Sequence, residues 1–328
     1  MNPLVLAVVL GVGVGSRSDT TINVSQGARI TLENYAGSID VQTWTKNAVR
    51  IEVNHNRHSE LTLDRDGDEI QIELESERGV SGSADYKLTV PAWIGLRLSG
   101  VYCDISAKGL KGKLEAETVQ GDVEVTGGDG YVSLTSVQGH VTVDGASGKL
   151  EVSSVNEGVD VSNVKGDLSV ESINGPIRMS KVQLNSLEAS TVNGTITYDG
   201  TFAKSGRYEL STHNGNLYVA VPPDANLNVE VATYGGSFES TFTIPKATEE
   251  RRHKRFTMQL GSGGAELDLE SFQGSIVLHR PGEKVGDDDG ETPSDKNGKI
   301  DDHGKIKVKS KPVKPGEDGK SDDDDDGN

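Results

Sequence analysis

Five carboxamide side chains recur at nearly constant spacing: Gln120, Gln138, Asn156, Asn174 and Asn193, separated by 18, 18, 18 and 19 residues. Most are followed directly by glycine, in the tetrapeptides Thr118-Val119-Gln120-Gly121, Ser136-Val137-Gln138-Gly139, Ser172-Ile173-Asn174-Gly175 and Thr191-Val192-Asn193-Gly194. A polar group beside a glycine suits a catalytic loop, a ligand cradle or a bend. Strict recurrence favours the bend. Amides stacked at strand spacing, about 4.8 Å, form a hydrogen-bonded ladder of the cross-β kind. These five are therefore assigned to a structural corner ladder, with no catalytic residue and no cofactor-binding residue among them.

Metal-ligating patterns are weaker. Gly127-Gly128-Asp129-Gly130 resembles the nonapeptide calcium roll, but that pattern needs Asp where Val132 stands. In the tail, Asp295, Asn297, Asp301 and Asp302 lack the 1, 3, 5 oxygen spacing and later Glu of a calcium loop. The expectation is no metal site and no cofactor, with at most weak calcium association in the tail. His55 and His58 lie three apart on an expected strand, so they point to opposite faces and make poor co-ligands. His140 and His213 read as surface residues. Cys103 is the sole cysteine, which excludes an intrachain disulfide and a cysteine-based zinc site.

The elements that carry these residues follow from a nine-residue pattern. Glycines fall at 112, 121, 130, 139 and 148, and between them the chain reads G-x-Φ-x-Φ-x-x-Φ-x, with Φ apolar. Val132, Leu134 and Val137 fill one unit, and Leu150, Val152 and Val155 another. Alternation at the first two Φ positions indicates a strand with one buried face. The third Φ is expected to turn inward at a bend. Alternate units differ, so the full period is eighteen, with two strands and two corners per turn. The fold class is all-β, a β-solenoid or rolled sheet. Each turn buries its apolar face only against its neighbours. Glu115, Ser133, Glu151, Ser169 and Glu188 share one outward phase, as do Glu124, Thr142, Asp160 and Arg178. Both series avoid stacked like charges, which destabilise when directly opposed.

Composition agrees. Forty glycines, 5% aromatics and 33% apolar residues in 328 favour many short strands packed through Val, Leu and Ile. A net charge of −18 argues against nucleic acid, whose phosphates demand a basic surface.

Residues 1–18, MNPLVLAVVLGVGVGSRS, carry an apolar run resembling a secretory signal and too short for a transmembrane span. Residues 19–282 form the β domain, its repeats clearest over 109–220. Val49, Ile51 and Val53 alternate as a strand, and 61–75 reads as a hairpin turning at Asp66-Gly67. FTIPKATEERRHKRFTMQL, 242–260, is expected to be another hairpin, its tip carrying Arg251, Arg252, Lys254 and Arg255, a candidate contact for an anionic partner. Residues 283–328 hold 15 acids and 9 lysines with little apolar content, so a disordered acidic tail is expected.

In order along the chain, NYAGSIDVQTW, DYKLTVPAWIGLRLSG, TVQGDVEVTG, SVQGHVTV, TVNGTITY and LDLESFQGSIVLHR resemble the bacterial putative-adhesin family. That family is a domain of unknown function related to GIN-type adhesin heads. The resemblance spans about residues 30–280. It implies an exported, mostly β protein of the periplasm, cell envelope or cell surface, with no known catalytic residues. Tyr102-Cys103 departs from the Asn-Gly expected there, so Cys103 is expected to have packed inward or the corner to differ. The leading expectation is a non-enzymatic structural or adhesin-like scaffold with an envelope, glycan or protein partner. Two rivals stand beside it: a carbohydrate-active parallel β-helix enzyme, and an intracellular scaffold or sensor.

Overall fold

The computed structural model describes residues 17–76, 82–244, 248–250, 255–283 and 285. The expected signal at 1–18 lies outside these up to residue 16, as do Arg251, Arg252 and Lys254 at the basic tip and nearly all of the 283–328 tail. Among the described residues every regular element is a strand. All belong to one extended, mostly parallel sheet wound into two rows.

Each central coil contributes one strand to each row. In the first row, Leu114–Gln120, Asp129–Gln138, Ser147–Ser154 and Lys165–Ser172 pair in parallel and in register. In the second, Val123–Thr126, Val141–Asp144 and Val159–Ser162 do the same. The coil repeat is 18 residues: Val132 lies beside both Leu114 and Leu150. Alternating residues point between the rows, so Val132, Leu134, Val141, Val143, Leu150 and Val152 are all buried. One core cluster runs from Val24 to Leu278. Such a core exists only through stacking, because a single coil leaves its apolar edge open.

Both ends depart from simple winding. At the start, Ala48–Asn54 runs antiparallel between Arg17–Asn23 and Ser83–Pro91, and Ser59–Asp66 with Glu69–Ser76 makes an antiparallel hairpin. That hairpin turns at Gly67-Asp68, since Asp66 pairs with Glu69. The turn therefore sits one residue later than expected, with Gly67 at φ 61°.

At the far end the order of coils is not the order of the sequence. Ala265–Gln273 lies between Ile196–Asn214 and Leu227–Thr233, parallel to both. Ile276–His279 likewise lies between Leu217–Ala220 and Phe238–Ser240. The final coil is thus an inner rung. Arg255–Leu260, antiparallel to Leu227–Thr233 and to Thr248–Glu250, covers the outer edge. Antiparallel strands at both ends shield parallel edges that would otherwise invite another chain.

A continuous apolar corner and its flanks

The recurring tetrapeptides are corners, and the phase of their side chains differs from expectation. The small hydroxyl residue points inward: Thr118, Ser136, Ser154, Ser172, Thr191, Thr212, Thr233 and Ser271 are all buried. Each buried hydroxyl needs a partner, and most donate to a carbonyl of the neighbouring coil. Ser136 Oγ reaches Gly121 O at 2.9 Å, Thr212 Oγ1 reaches Gly194 O at 3.0 Å, and Ser271 Oγ reaches Gly215 O at 3.1 Å. The following residue, the third Φ, must then face outward. Val119 is 48% exposed, Ile173 46%, Val192 45% and Phe272 43%. The inward bend expected for Val137 and Val155 is corrected for the same reason: neither is buried, because the preceding serine takes the inward site.

Stacking converts this into a surface feature. Tyr35, Val101, Val119, Val137, Val155 and Ile173 occupy successive coils, followed by Val192, His213, Phe272 and Tyr234. Ten positions at strand spacing make a ridge about 43 Å long. Its ends are aromatic. His213 stacks on Phe272 with ring centroids 4.6 Å apart, Tyr234 on Phe272 at 5.3 Å, and Tyr35 meets the neighbouring Tyr102 edge-on at 5.8 Å. Six of these positions are exposed apolar or aromatic side chains, Val101, Val137 and Val155 are half-buried between them, and a run of such residues along one corner marks an interaction site.

Beside the ridge runs the carboxamide column. Asn174 Nδ2 donates to Asn156 Oδ1 at 3.1 Å, Asn193 to Asn174 at 2.9 Å, and Asn214 to Asn193 at 2.8 Å. Gln120 and Gln138 pair in register at the head of the column. Asn214 extends the series although its neighbour is His213, which breaks the tetrapeptide pattern. Tyr102 stands in this column opposite Gln120, where an amide was expected.

The glycines of the corner are required by close approach. A Cβ on Gly139 would lie 1.9 Å from Gly121 O, and one on Gly194 2.2 Å from Gly175 O. Cys103 takes the glycine's place in its own coil and is packed inward, 1% exposed, accepting a hydrogen bond from Asn34 Nδ2 at 3.3 Å. Burial pushes its thiol up to about 11, so it stays protonated near neutral pH.

The outward faces carry charge. Glu115, Ser133, Glu151, Ser169 and Glu188 are in register on the first row, and Glu124, Thr142, Asp160 and Arg178 on the second. The avoidance of like charges ends beyond Glu188. There the column continues as Glu209, Asp268 and Glu230, directly opposed. Arg207 pairs with Glu209, and Arg255 with Glu230 at 2.6 Å. Partial burial, followed by the charge of Glu230, raises the Asp268 pKa above its ordinary value. A cleft of 300 Å³ lies over these side chains.

The histidines do not converge. His55 and His58 lie between Ala48–Asn54 and Ser59–Asp66, not on a strand, because the chain turns a corner there before the next strand begins. His55 Nε2 contacts Ser18 Oγ at 2.9 Å. His140 Nε2 contacts Asp160 Oδ2 at 2.8 Å on the second row. Among the described residues no three His, Cys, Asp or Glu side chains are arranged to hold a metal ion, and no helix is long and apolar enough to cross a membrane.

A family model named Toastrack DUF4097 matches residues 17–279, which is the whole coiled region from its first strand to its last. The chain belongs to the Toastrack DUF4097 family. Its function is undefined by that membership. No curated protein matches the chain. Two solved structures are similar to it. One, a putative cell adhesion protein from Clostridium sporogenes ATCC 15579, has 10% identity and a TM-score of 0.20, covering 80% of this chain and 98% of that one. The other, a putative lipid binding protein from Parabacteroides distasonis ATCC 8503, has 14% identity and a TM-score of 0.41, covering 81% and 98%. In this Toastrack domain the ridge carries six of the seven exposed large hydrophobic side chains among the described residues.

Proposed function

We propose that this Toastrack domain is a non-enzymatic, adhesin-like binding scaffold of the cell envelope whose contact surface is the apolar corner. One observation carries the reading: the repeat places a Val, Ile or aromatic residue at the same outward corner of successive coils, with Tyr35, Val119, Ile173, Val192, Phe272 and Tyr234 exposed and Val101, Val137 and Val155 half-buried between them. Exposed side chains on a rigid parallel stack form a straight, preorganised surface, which lowers the ordering cost of binding. The apolar run in 1–18 supports export, and the basic residues of 251–255 would add a contact for an anionic partner.

The experiment is protease shaving of intact cells combined with photo-crosslinking from the corner. Surface exposure with crosslinks from position 192, absent from position 197 on the second row, supports the reading. Recovery only from the cytoplasm with residues 1–16 attached would sink the envelope assignment. Equal crosslinking from both positions would sink the corner.

A second reading has one observation in its favour. The column Glu188, Glu209, Asp268 and Glu230 holds one carboxyl with a raised pKa beside other carboxyls, as acid catalysis on glycans requires. Turnover of acidic polysaccharides by the purified chain, abolished by Asp268→Asn, would establish it. Its absence leaves the column as a charged rim.

A further inference from the structure

The margins of the ridge carry acids interleaved with Ser, Thr and other uncharged residues. On the first-row side, Glu33, Glu117, Glu171 and Glu270 are exposed in the column next to the buried hydroxyls. On the other side stand Asp104, Asp122 and Glu157. Lysine and arginine are missing from the hydroxyl, ridge, amide and glycine columns and from the column on either side of them, although the chain holds 33 such residues. An apolar crest flanked by scattered acids, with no lysine or arginine among them, selects a ligand that is apolar and cationic together. It repels an anionic membrane and a second acidic crest.

One segment of this chain has that composition. Residues 305–314 read KIKVKSKPVK, with Ile306, Val308 and Val313 interleaved with five lysines and no acid, inside a tail that is otherwise acidic. We propose that residues 305–314 dock on the corner ridge of the same molecule, resting on the reading of that corner as the binding surface. Length permits it. Ten extended residues cover about 33 Å of the ridge. The chain leaves the last coil at Arg280–Glu283, past the second-row strand Ile276–His279 that follows the corner at Gln273. About 20 residues then precede Lys305, with a typical span of about 25 Å and a limit near 66 Å. Tethering at that length gives a millimolar effective concentration, so a weak contact is populated. The tail then acts as a displaceable cover, and an external partner must compete with it.

The test uses the full chain with Ser310→Cys carrying a spin label; Cys103 is 1% exposed and does not compete for the reagent. Amide signals of Val137, Ile173, Asn174 and Val192 should lose at least about half their intensity, as expected for a tethered contact at millimolar effective concentration. Signals of Thr142 and Thr197 on the second row should not. Lys305, Lys307 and Lys309→Glu should restore the intensities, as should 0.5 M salt, which shortens the screening length to about 4 Å. These substitutions lie outside the coiled domain, so loss of fold does not confuse the result. Broadening confined to Glu209 and Asp268 would overturn the ridge as the docking site. Broadening only in mixtures of labelled and isotope-enriched chains would make the occupant a second copy. No broadening at all would overturn the tail as occupant, while crosslinking from position 192 would still report on the corner itself.

Discussion

The rings of His213 and Phe272 lie 6° from parallel, their centroids 4.6 Å apart, although the whole segment 227–260 separates their coils in sequence. They meet because the last coil is an inner rung with a parallel neighbour on each side. Leu269 within it is buried at 2% exposure between Leu210 and Val231. Leu269→Ala should therefore cost about 2–5 kcal/mol, the range for an aliphatic cavity in a packed core. Phe272→Ser, on the exposed ridge, should cost no more than about 1 kcal/mol. Urea unfolding of the two variants checks the difference, and equal losses would contradict the threaded order.

Corner glycines make a second contrast. In Gly139→Ala the new methyl meets a carbonyl of the adjacent coil at 1.9 Å, and backbone cannot move without opening the stack. A loss above about 2 kcal/mol is expected. Gly130 has φ +100° but nothing within 4 Å of where a Cβ would stand, so Gly130→Ala meets backbone strain alone, about 1–2 kcal/mol. Thermal or urea denaturation ranks them, and Gly139→Ala should be the worse.

The contrast also explains what is legible in the sequence. Strand phase, the 18-residue repeat and the stacking of Asn156, Asn174 and Asn193 follow from periodicity, because each coil repeats the same local problem. The corner departs from expectation at Val137 because hydrophobicity alone does not decide which side chain turns inward: Ser136 can bury when a carbonyl accepts its hydroxyl. The acid column is invisible to sequence spacing because Glu209, Asp268 and Glu230 are brought together by coil order. No local signal in 265–279 announces that it belongs between two earlier coils.

The amide column should contribute measurably despite its exposure. Asn193 donates to Asn174 and accepts from Asn214. Asn193→Ala removes both bonds, for a loss of about 0.5–1.5 kcal/mol, since water replaces the partners at a surface site. Asn193→Gln, which can rebuild one bond, should recover part of it. The midpoint of urea unfolding is the readout; an unchanged midpoint would mean that the column is decorative.

Cys103 should be inert in the native state. Its thiol is buried, is pushed up to about 11, and is fixed by Asn34, which also donates to Ala84 O at 2.9 Å. At pH 8 a disulfide reagent should react at least tenfold more slowly than with the urea-unfolded chain, because the thiolate is the attacking form. Asn34→Ala should accelerate the native reaction by loosening the first coil. A native rate equal to the unfolded one would place Cys103 at the surface.

Asp268 makes a pH prediction whose sign is opposite to the usual carboxylate. Its folded pKa lies above the ordinary value, from burial first and then from Glu230 and the neighbouring acids. The folded state therefore binds this proton more tightly than the unfolded chain. Linkage then removes stability as pH rises through the ordinary carboxylate value to the raised folded one, and the penalty persists at neutral pH. Asp268→Asn should stabilise the chain at pH 7 by about 0.2–1 kcal/mol, the range for directly opposed like charges. Below the ordinary carboxylate pKa, where wild-type Asp268 is protonated in both states, the gain should vanish. Urea midpoints of both proteins measured at pH 7 and at pH 3 decide it. A gain that persists at pH 3 would show that packing, not charge, sets the cost at this position.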